Sequence, residues 1–97
     1  MNLTMSKSKE TYEEYGTELS YWNIMCGNDV IGKMKADYKS KTQRSWSGQS
    51  TFSGVSSVVS DKKSLTSVLL SIQEELESGG AFASMTSEVL GKVTDNA

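Results

Sequence analysis

The chain of 97 residues contains no proline, no histidine and a single cysteine, Cys26. Histidine is the commonest general base and a common metal ligand, and one cysteine cannot form an intrachain disulfide. These absences exclude histidine-dependent catalytic triads and zinc sites built from cysteine and histidine. We therefore expect no catalytic residue, no metal site and no cofactor, and we interpret Cys26 as a small core residue.

Long apolar segments are missing as well. No run of about 18 apolar residues predicts a transmembrane helix, and the N-terminal residues 1–10 include charges but no apolar segment typical of a signal peptide. The expectation is a protein without a membrane span, either cytoplasmic or exported by a route that uses no cleavable signal. The length suits one domain, residues 1–97, and we expect residues 1–8 and 94–97 to be disordered.

The complete lack of proline indicates long helices, because proline breaks a helix interior and is common in loops. Charge is also unevenly distributed. Residues 1–32 carry two lysines and five acids, net −3; residues 33–63 carry seven basic residues and two acids, net +5; residues 64–97 carry one lysine and five acids, net −4. A basic middle therefore lies between two acidic flanks.

The segment from Thr11 to Arg44 supports two interpretations. As a helix, it has an apolar stripe with steps of three and four residues, a capping-box pattern at Thr11 and Glu14, and basic residues at its C-terminal end. The stripe comprises Tyr12, Tyr15, Leu19, Trp22, Cys26, Val30, Met34 and Tyr38.

As strands, the same segment has Tyr21–Cys26 as one arm, Gly27-Asn28-Asp29 as a turn and Val30–Tyr38 as the second arm. The second arm alternates, with Met34 on one face and Lys33 and Lys35 on the other. The helix is the favoured interpretation, and the choice between helix and hairpin stays open for residues 19–42.

A helix after Asp61 is the clearest element. Asp61 is the expected cap, and Leu65, Val68, Leu69, Ile72 and Leu76 repeat at helical spacing. The pair Gly79-Gly80 predicts its end. Further apolar residues from Phe82 to Val93 predict a second short helix or a continuation.

Between the two predicted helices lies Trp46-Ser47-Gly48, near the middle of the chain. A short, acidic, proline-free chain with a central Trp-x-Gly resembles the WxG-motif (ESAT-like) family of small proteins exported by type VII secretion. The resemblance implies an all-α fold, a two-helix hairpin with Trp46 and Gly48 at its turn. It also implies a protein secreted without a classical signal peptide, as export substrate or chaperone. The family's C-terminal Tyr-x-x-x-(Asp/Glu) signal has no counterpart, because no tyrosine follows Tyr38.

Two amphipathic helices leave apolar stripes that call for a second hairpin. The expected partner is a second copy or a related hairpin chain, and the secretion machinery is a further possible partner. Antiparallel pairing into a four-helix bundle places basic tips beside acidic ones. The interface candidates are Tyr15, Leu19, Trp22, Met34, Tyr38, Leu65, Val68, Ile72 and Leu76.

The strand interpretation leads to an alternative fold and function. The fold is α+β, a small antiparallel sheet followed by a helix. The function is that of a small cytoplasmic protein that binds nucleic acid through the basic middle with Tyr38, Arg44 and Trp46, or that inhibits a host protein as virus-encoded accessory proteins do. Lysines are more often a solvated face, so nucleic acid is not the favoured partner.

Overall fold

The structure is a computed structural model that describes residues 2–79. They form an antiparallel sheet of five strands followed by one helix. The elements are β1 (Thr4–Glu14), β2 (Thr17–Cys26), β3 (Asp29–Tyr38), β4 (Arg44–Phe52), β5 (Val55–Lys62) and α1 (Leu65–Ser78). The strands lie in the sheet in chain order, and each pairs antiparallel with the next. Residues 1–8 were expected to be disordered, but strand β1 begins at Thr4. Residues 94–97 lie outside the described residues.

The all-α prediction, with its helical hairpin and four-helix bundle, is wrong, and the alternative of a sheet followed by a helix is closer to the structure. Two tight turns explain the error. Tyr15-Gly16 joins β1 to β2 with φ angles of 51° and 76°, and Ser53-Gly54 joins β4 to β5 with 50° and 80°. Two successive positive φ angles define the hairpin turn whose twist matches that of paired strands. The Tyr15-Gly16 turn and the turn between β2 and β3 reverse the chain inside the segment from Thr11 to Arg44, for which a continuous helix is the favoured prediction. The Ser53-Gly54 turn lies beyond that segment.

The core lies between α1 and one face of the sheet. Trp22, Ile24 and Cys26 alternate along β2 toward this face, as expected of a half-buried strand. Burial raises the pKa of the Cys26 thiol, as befits a core position. The buried apolar core consists of Leu3, Ile24, Cys26, Met34, Val59, Val68, Leu69, Ile72 and Leu76.

Helix α1 confirms the helix predicted after Asp61, but its cap is different. The Ser64 Oγ accepts a hydrogen bond from the Ser67 backbone N–H at 3.1 Å, which is the N-cap contact. Asp61 lies inside β5 with a φ of 55°. The helix ends at Gly79 as expected, and the second helix predicted from Phe82 lies outside the described residues. Among residues 2–79, no helix has the length and apolar character needed to cross a membrane.

Trp46 and Gly48 lie within strand β4, so the turn assigned to them is also wrong. Gly48 is needed for close approach of helix to sheet. A Cβ atom at this position would meet Val68 Cγ1 at 2.7 Å and Met34 Cγ at 2.9 Å. Only a residue without a side chain lets α1 pack at this distance, because real Cβ atoms do not approach carbon so closely.

Candidate nucleic-acid interface

The face of the sheet opposite α1 is open and polar. It forms a groove of about 560 Å³ between the β1–β2 hairpin and strands β3 to β5. Lys33 and Lys35 of β3 lie opposite Gln49 and Ser47 of β4. The hydroxyl, amide and ammonium groups of this lining can bind a polar ligand.

One wall of the groove is the outer hairpin, which we define as residues 10–21, including the Tyr15-Gly16 turn. Pairing between β2 and β3 ends at Trp22 and Met34, so the outer hairpin is not joined to β3 by strand hydrogen bonds. The Tyr12 side chain bridges the gap instead. Its hydroxyl donates to the Ala36 carbonyl oxygen at 3.1 Å and accepts from the Ala36 N–H at 2.9 Å.

The Tyr12 hydroxyl makes this contact in its neutral form. Burial raises the pKa of its hydroxyl, and the Ala36 backbone hydrogen bond and Lys35 oppose the shift only partly. A neutral hydroxyl can donate and accept at once, whereas a phenolate cannot donate. Tyr12 therefore holds Ala36 as a neutral group at physiological pH.

Both lysines of the groove are held by a carboxylate and an aromatic ring. The Lys33 Nζ forms an ion pair with Glu10 and lies 5.6 Å from the centroid of the Tyr21 ring. The Lys35 Nζ lies 3.5 Å from Asp37 Oδ1 and 5.5 Å from the centroid of the Tyr12 ring. The charges of the groove are therefore matched in the present arrangement.

Unmatched positive charge lies at the end of the sheet where β3 ends, β4 begins and β5 leads into α1. We call this region the basic end, and it comprises Lys39, Lys41, Arg44, Lys62 and Lys63. The β3–β4 loop is closed by a hydrogen bond from the Lys39 N–H to the Gln43 carbonyl oxygen at 2.9 Å. The guanidinium carbon of Arg44 lies 5.0 Å from the centroid of the Trp46 ring.

The extra residue in β5 contributes to this clustering. The register between β4 and β5 shifts between Trp46 and Gly48, and Asp61 takes up the left-handed conformation there. Such a bulge bends the strand and changes the direction of the side chains that follow it. Lys62 consequently lies opposite Trp46, two positions along β4 from Arg44.

Within residues 2–79, the ion pairs are Lys33 with Glu10 and Lys35 with Asp37, so no residue of the basic end is paired. The acidic tip of the outer hairpin lies at the same end but on the far side of the sheet. Strands are spaced by about 4.8 Å, so β1 and β5 are separated by about 19 Å. This exceeds the Debye length of about 8 Å at physiological ionic strength, so β1 has little effect on the cations of β5. Lys39 lies closer to the acidic tip, since it follows Tyr38, whose ring centroid is 6.3 Å from that of Tyr15. Lys62 shares a surface hollow with Glu74 and Glu75 of α1.

The structure distributes the predicted interface residues over several environments. Val68, Ile72 and Leu76 are fully buried beneath the chain's own sheet, and Leu65 packs at the edge of that core. Trp22 and Met34 are opposite neighbours on β2 and β3. Leu19 lies opposite Tyr12, and the Tyr15 and Tyr38 rings meet edge to face with centroids 6.3 Å apart. These residues do not form one surface.

Sequence reasoning missed Tyr12 and Tyr21 as neighbours, although their ring centroids are 4.7 Å apart. Their contact follows from the pairing of Tyr12 with Leu19, which places Tyr21 two residues further along β2 on the same face. The basic end was accessible to sequence reasoning in part, because its five cations belong to the net +5 segment.

Among residues 2–79, no three Cys, Asp or Glu side chains are grouped so that they could hold a metal ion. Comparison of the chain with models of protein families, with curated proteins and with solved structures found no match.

Proposed function

We propose that the protein is a non-catalytic nucleic-acid-binding protein that contacts the phosphate backbone through the basic end. The observation that carries the proposal is the convergence of five cations at one end of the sheet, without an ion-pair partner among residues 2–79. The whole chain has a net charge of −2. A local cluster of positive charge on a chain whose net charge is negative is the electrostatic pattern expected of a phosphate-binding surface.

Arg44 and Trp46 suit this role. A guanidinium group offers several donors in a planar fork that matches phosphate oxygens, and its position over the Trp46 ring orients the plane. The lysines of the basic end act as point charges that displace counterions from the nucleic acid. Contacts of this kind are independent of base sequence, so we expect little sequence preference and a strong dependence on salt.

Helix α1 is unsuited to reading the major groove of a duplex. Its apolar stripe is buried against the sheet, and its last turns carry Glu74, Glu75 and Glu77, which repel phosphates. Binding through strand ends and loops is therefore favoured. This proposal reverses the sequence-based expectation that nucleic acid is not the partner, because five cations at one end of the sheet have no ion-pair partner among residues 2–79.

A role in type VII secretion remains a prediction from Trp46-Ser47-Gly48, and it depended on a helical hairpin that the described residues do not form. Inhibition of a host protein, the other part of the alternative, has no specific contact in its favour.

Binding is tested with a fluorescent single-stranded DNA of about 20 nucleotides at about 50 mM salt, followed by polarisation. The double variant Lys41→Gln/Arg44→Gln should lose roughly tenfold or more in affinity. The slope of log affinity against log salt should become shallower by about 1.4, since each phosphate contact on a single strand contributes about 0.7.

The matched control is Lys7→Gln/Lys9→Gln on β1, which changes the net charge equally but lies outside the basic end. Equal losses in the two double variants would mean that only net charge matters. Heparin that competes as well as DNA of equal charge would indicate a general polyanion site. No binding by the unmodified protein at this salt concentration would overturn the proposal and favour a protein partner.

A further inference from the structure

The outer hairpin carries negative charges that do not stabilise the pairing of its own two strands. Residues 10–21 contain Glu10, Glu13, Glu14 and Glu18 and no lysine or arginine. Glu13 and Glu18 lie directly opposite each other in the pairing of β1 and β2. Like charges in opposite positions destabilise a strand pair. The hairpin thus concentrates negative charge at the expense of its own pairing.

This acidic hairpin lies beside Lys33 and Lys35 of β3. Glu10 forms the ion pair with Lys33, Tyr12 holds the backbone of Ala36, and the Tyr15 ring meets Tyr38 at the end of β3. Through these contacts a carboxylate occupies the Lys33 ammonium group, which would otherwise be available to a phosphate.

The outer hairpin also has a natural hinge. The register of β1 shifts between Lys7 and Thr11, and pairing of β2 with β3 ends at Trp22. Lys7 lies opposite Trp22, so both interruptions fall at the same level of the sheet. Beyond this level the outer hairpin is attached by side-chain contacts alone, while the strands below it stay paired.

We propose that the outer hairpin is an autoinhibitory arm, in which the Glu10 carboxylate takes the place of a nucleic-acid phosphate beside Lys33 of β3. When the arm swings away, Lys33 becomes available to the ligand as an additional contact on the open face of the sheet. The inference rests on the proposed function and concerns the regulation of nucleic-acid binding.

The strength of the closing contacts fits such a device. Lys33 and Glu10 keep 42% and 61% of their side-chain surface exposed, and exposed ion pairs of this kind contribute little to stability. A polyanion can therefore compete with Glu10 for Lys33. The hydrogen bonds between Tyr12 and Ala36 are more buried than the Glu10–Lys33 pair, so they contribute most to holding the arm against β3.

The experiment compares Glu10→Gln with Asp29→Asn, which removes the same charge from an exposed position at the β2–β3 turn, at the opposite end of the sheet from the basic end. With the labelled single-stranded DNA, Glu10→Gln should bind about fivefold more tightly than Asp29→Asn, a coupling of the size usual between linked sites. Its salt slope should be steeper by about 0.7, because one more lysine reaches a phosphate.

A second measurement follows the arm without any ligand. In Tyr12→Phe the Ala36 N–H loses its side-chain acceptor, so its hydrogen exchange should become faster, whereas the amides of β4 should keep their protection. The same variant should bind DNA more tightly than the unmodified protein. A variant that exchanges faster at β4 as well has lost the sheet, and that would contradict an arm that moves alone.

The outcomes separate the two proposals. If the unmodified protein binds DNA through Arg44 but Glu10→Gln and Asp29→Asn bind equally well, the autoinhibitory arm is wrong and the proposed function stands. If neither the unmodified protein nor any arm variant binds DNA, both proposals are overturned.

Discussion

The part of the sheet that α1 covers and the outer hairpin differ in what holds them in place. Under α1, Ile24, Val68, Ile72 and Leu76 have no exposed surface. The outer hairpin contributes no residue to the buried core, and it is attached to β3 by the Tyr12 hydroxyl and by the exposed Glu10–Lys33 pair.

This difference has consequences for motion as well as for stability. Burial of apolar surface is shared among many contacts, so the α1-covered part should open only when the whole domain unfolds. A segment held by a few polar contacts opens at much lower free energy. The same chain therefore combines a stable platform with a part that can move independently.

The largest expected effect is that of truncating the core under α1. Ile72→Ala should lower the free energy of unfolding by about 2–5 kcal/mol, through lost burial and the cavity that remains. The matched change in the outer hairpin is Leu19→Ala, at a half-buried position opposite Tyr12, which we expect to lower it by about 1 kcal/mol or less. Urea denaturation followed by circular dichroism measures both. Similar losses of unfolding free energy for the two variants would contradict the proposed difference in stability between the two regions.

An intermediate effect is expected where the sheet meets the helix. Gly48→Ala introduces a methyl group into the space of Val68 and Met34, and overpacking of this kind lowers the free energy of unfolding by about 1–3 kcal/mol. The double variant Gly48→Ala/Val68→Ala makes room for the new methyl group. Its loss should be smaller than the sum of the two single losses by at least about 0.5 kcal/mol, as is usual for residues in contact. Strict additivity would contradict the close approach at Gly48.

The smallest effect concerns alkaline pH and the outer hairpin. The pKa of Tyr12 is raised above its ordinary value of 10.0 by burial, so the folded state favours the neutral hydroxyl. Its contribution to stability is fully present below pH 10 and is lost as the pH rises through the higher folded-state pKa. Between about pH 9 and about pH 11, the unmodified protein should therefore lose more stability than Tyr12→Phe. Parallel losses would show that Tyr12 is not the group responsible.

How far the sequence predicts this fold differs between its two ends. From Leu65 to Leu76 the helical spacing matched the structure, because one continuous face of a helix packs on one sheet. From Thr11 to Arg44 the favoured helix is wrong, and the alternative hairpin around Gly27 is closer to the structure. A step of four residues, as from Trp22 to Cys26, stays on one face of a strand as well as on one face of a helix. Such steps in the apolar stripe therefore do not distinguish the two structures.

The candidate site also combines properties that the sequence predicts with properties that depend on the folded sheet. The net charge of +5 for residues 33–63 is a property of the sequence, and this segment contains all five cations of the basic end. Which cations are paired and which are not depends on the sheet, because Glu10 reaches Lys33 only when β1 and β2 fold beside β3. The turn predicted at Trp46 and Gly48 is wrong, because Gly48 lies in β4 where α1 approaches and Trp46 packs against the core.

By itself, the sequence determined the helix at residues 65–78, the exclusion of histidine-based chemistry and the concentration of positive charge in the middle of the chain. Composition and local spacing are sufficient for these properties. The tertiary structure decided the register of the strands, the need for glycine at position 48, the unpaired state of the basic end and the place of the acidic hairpin beside β3. These depend on contacts between residues far apart in the chain, and pairing two strands one residue out of register would have turned the same side chains to the opposite face.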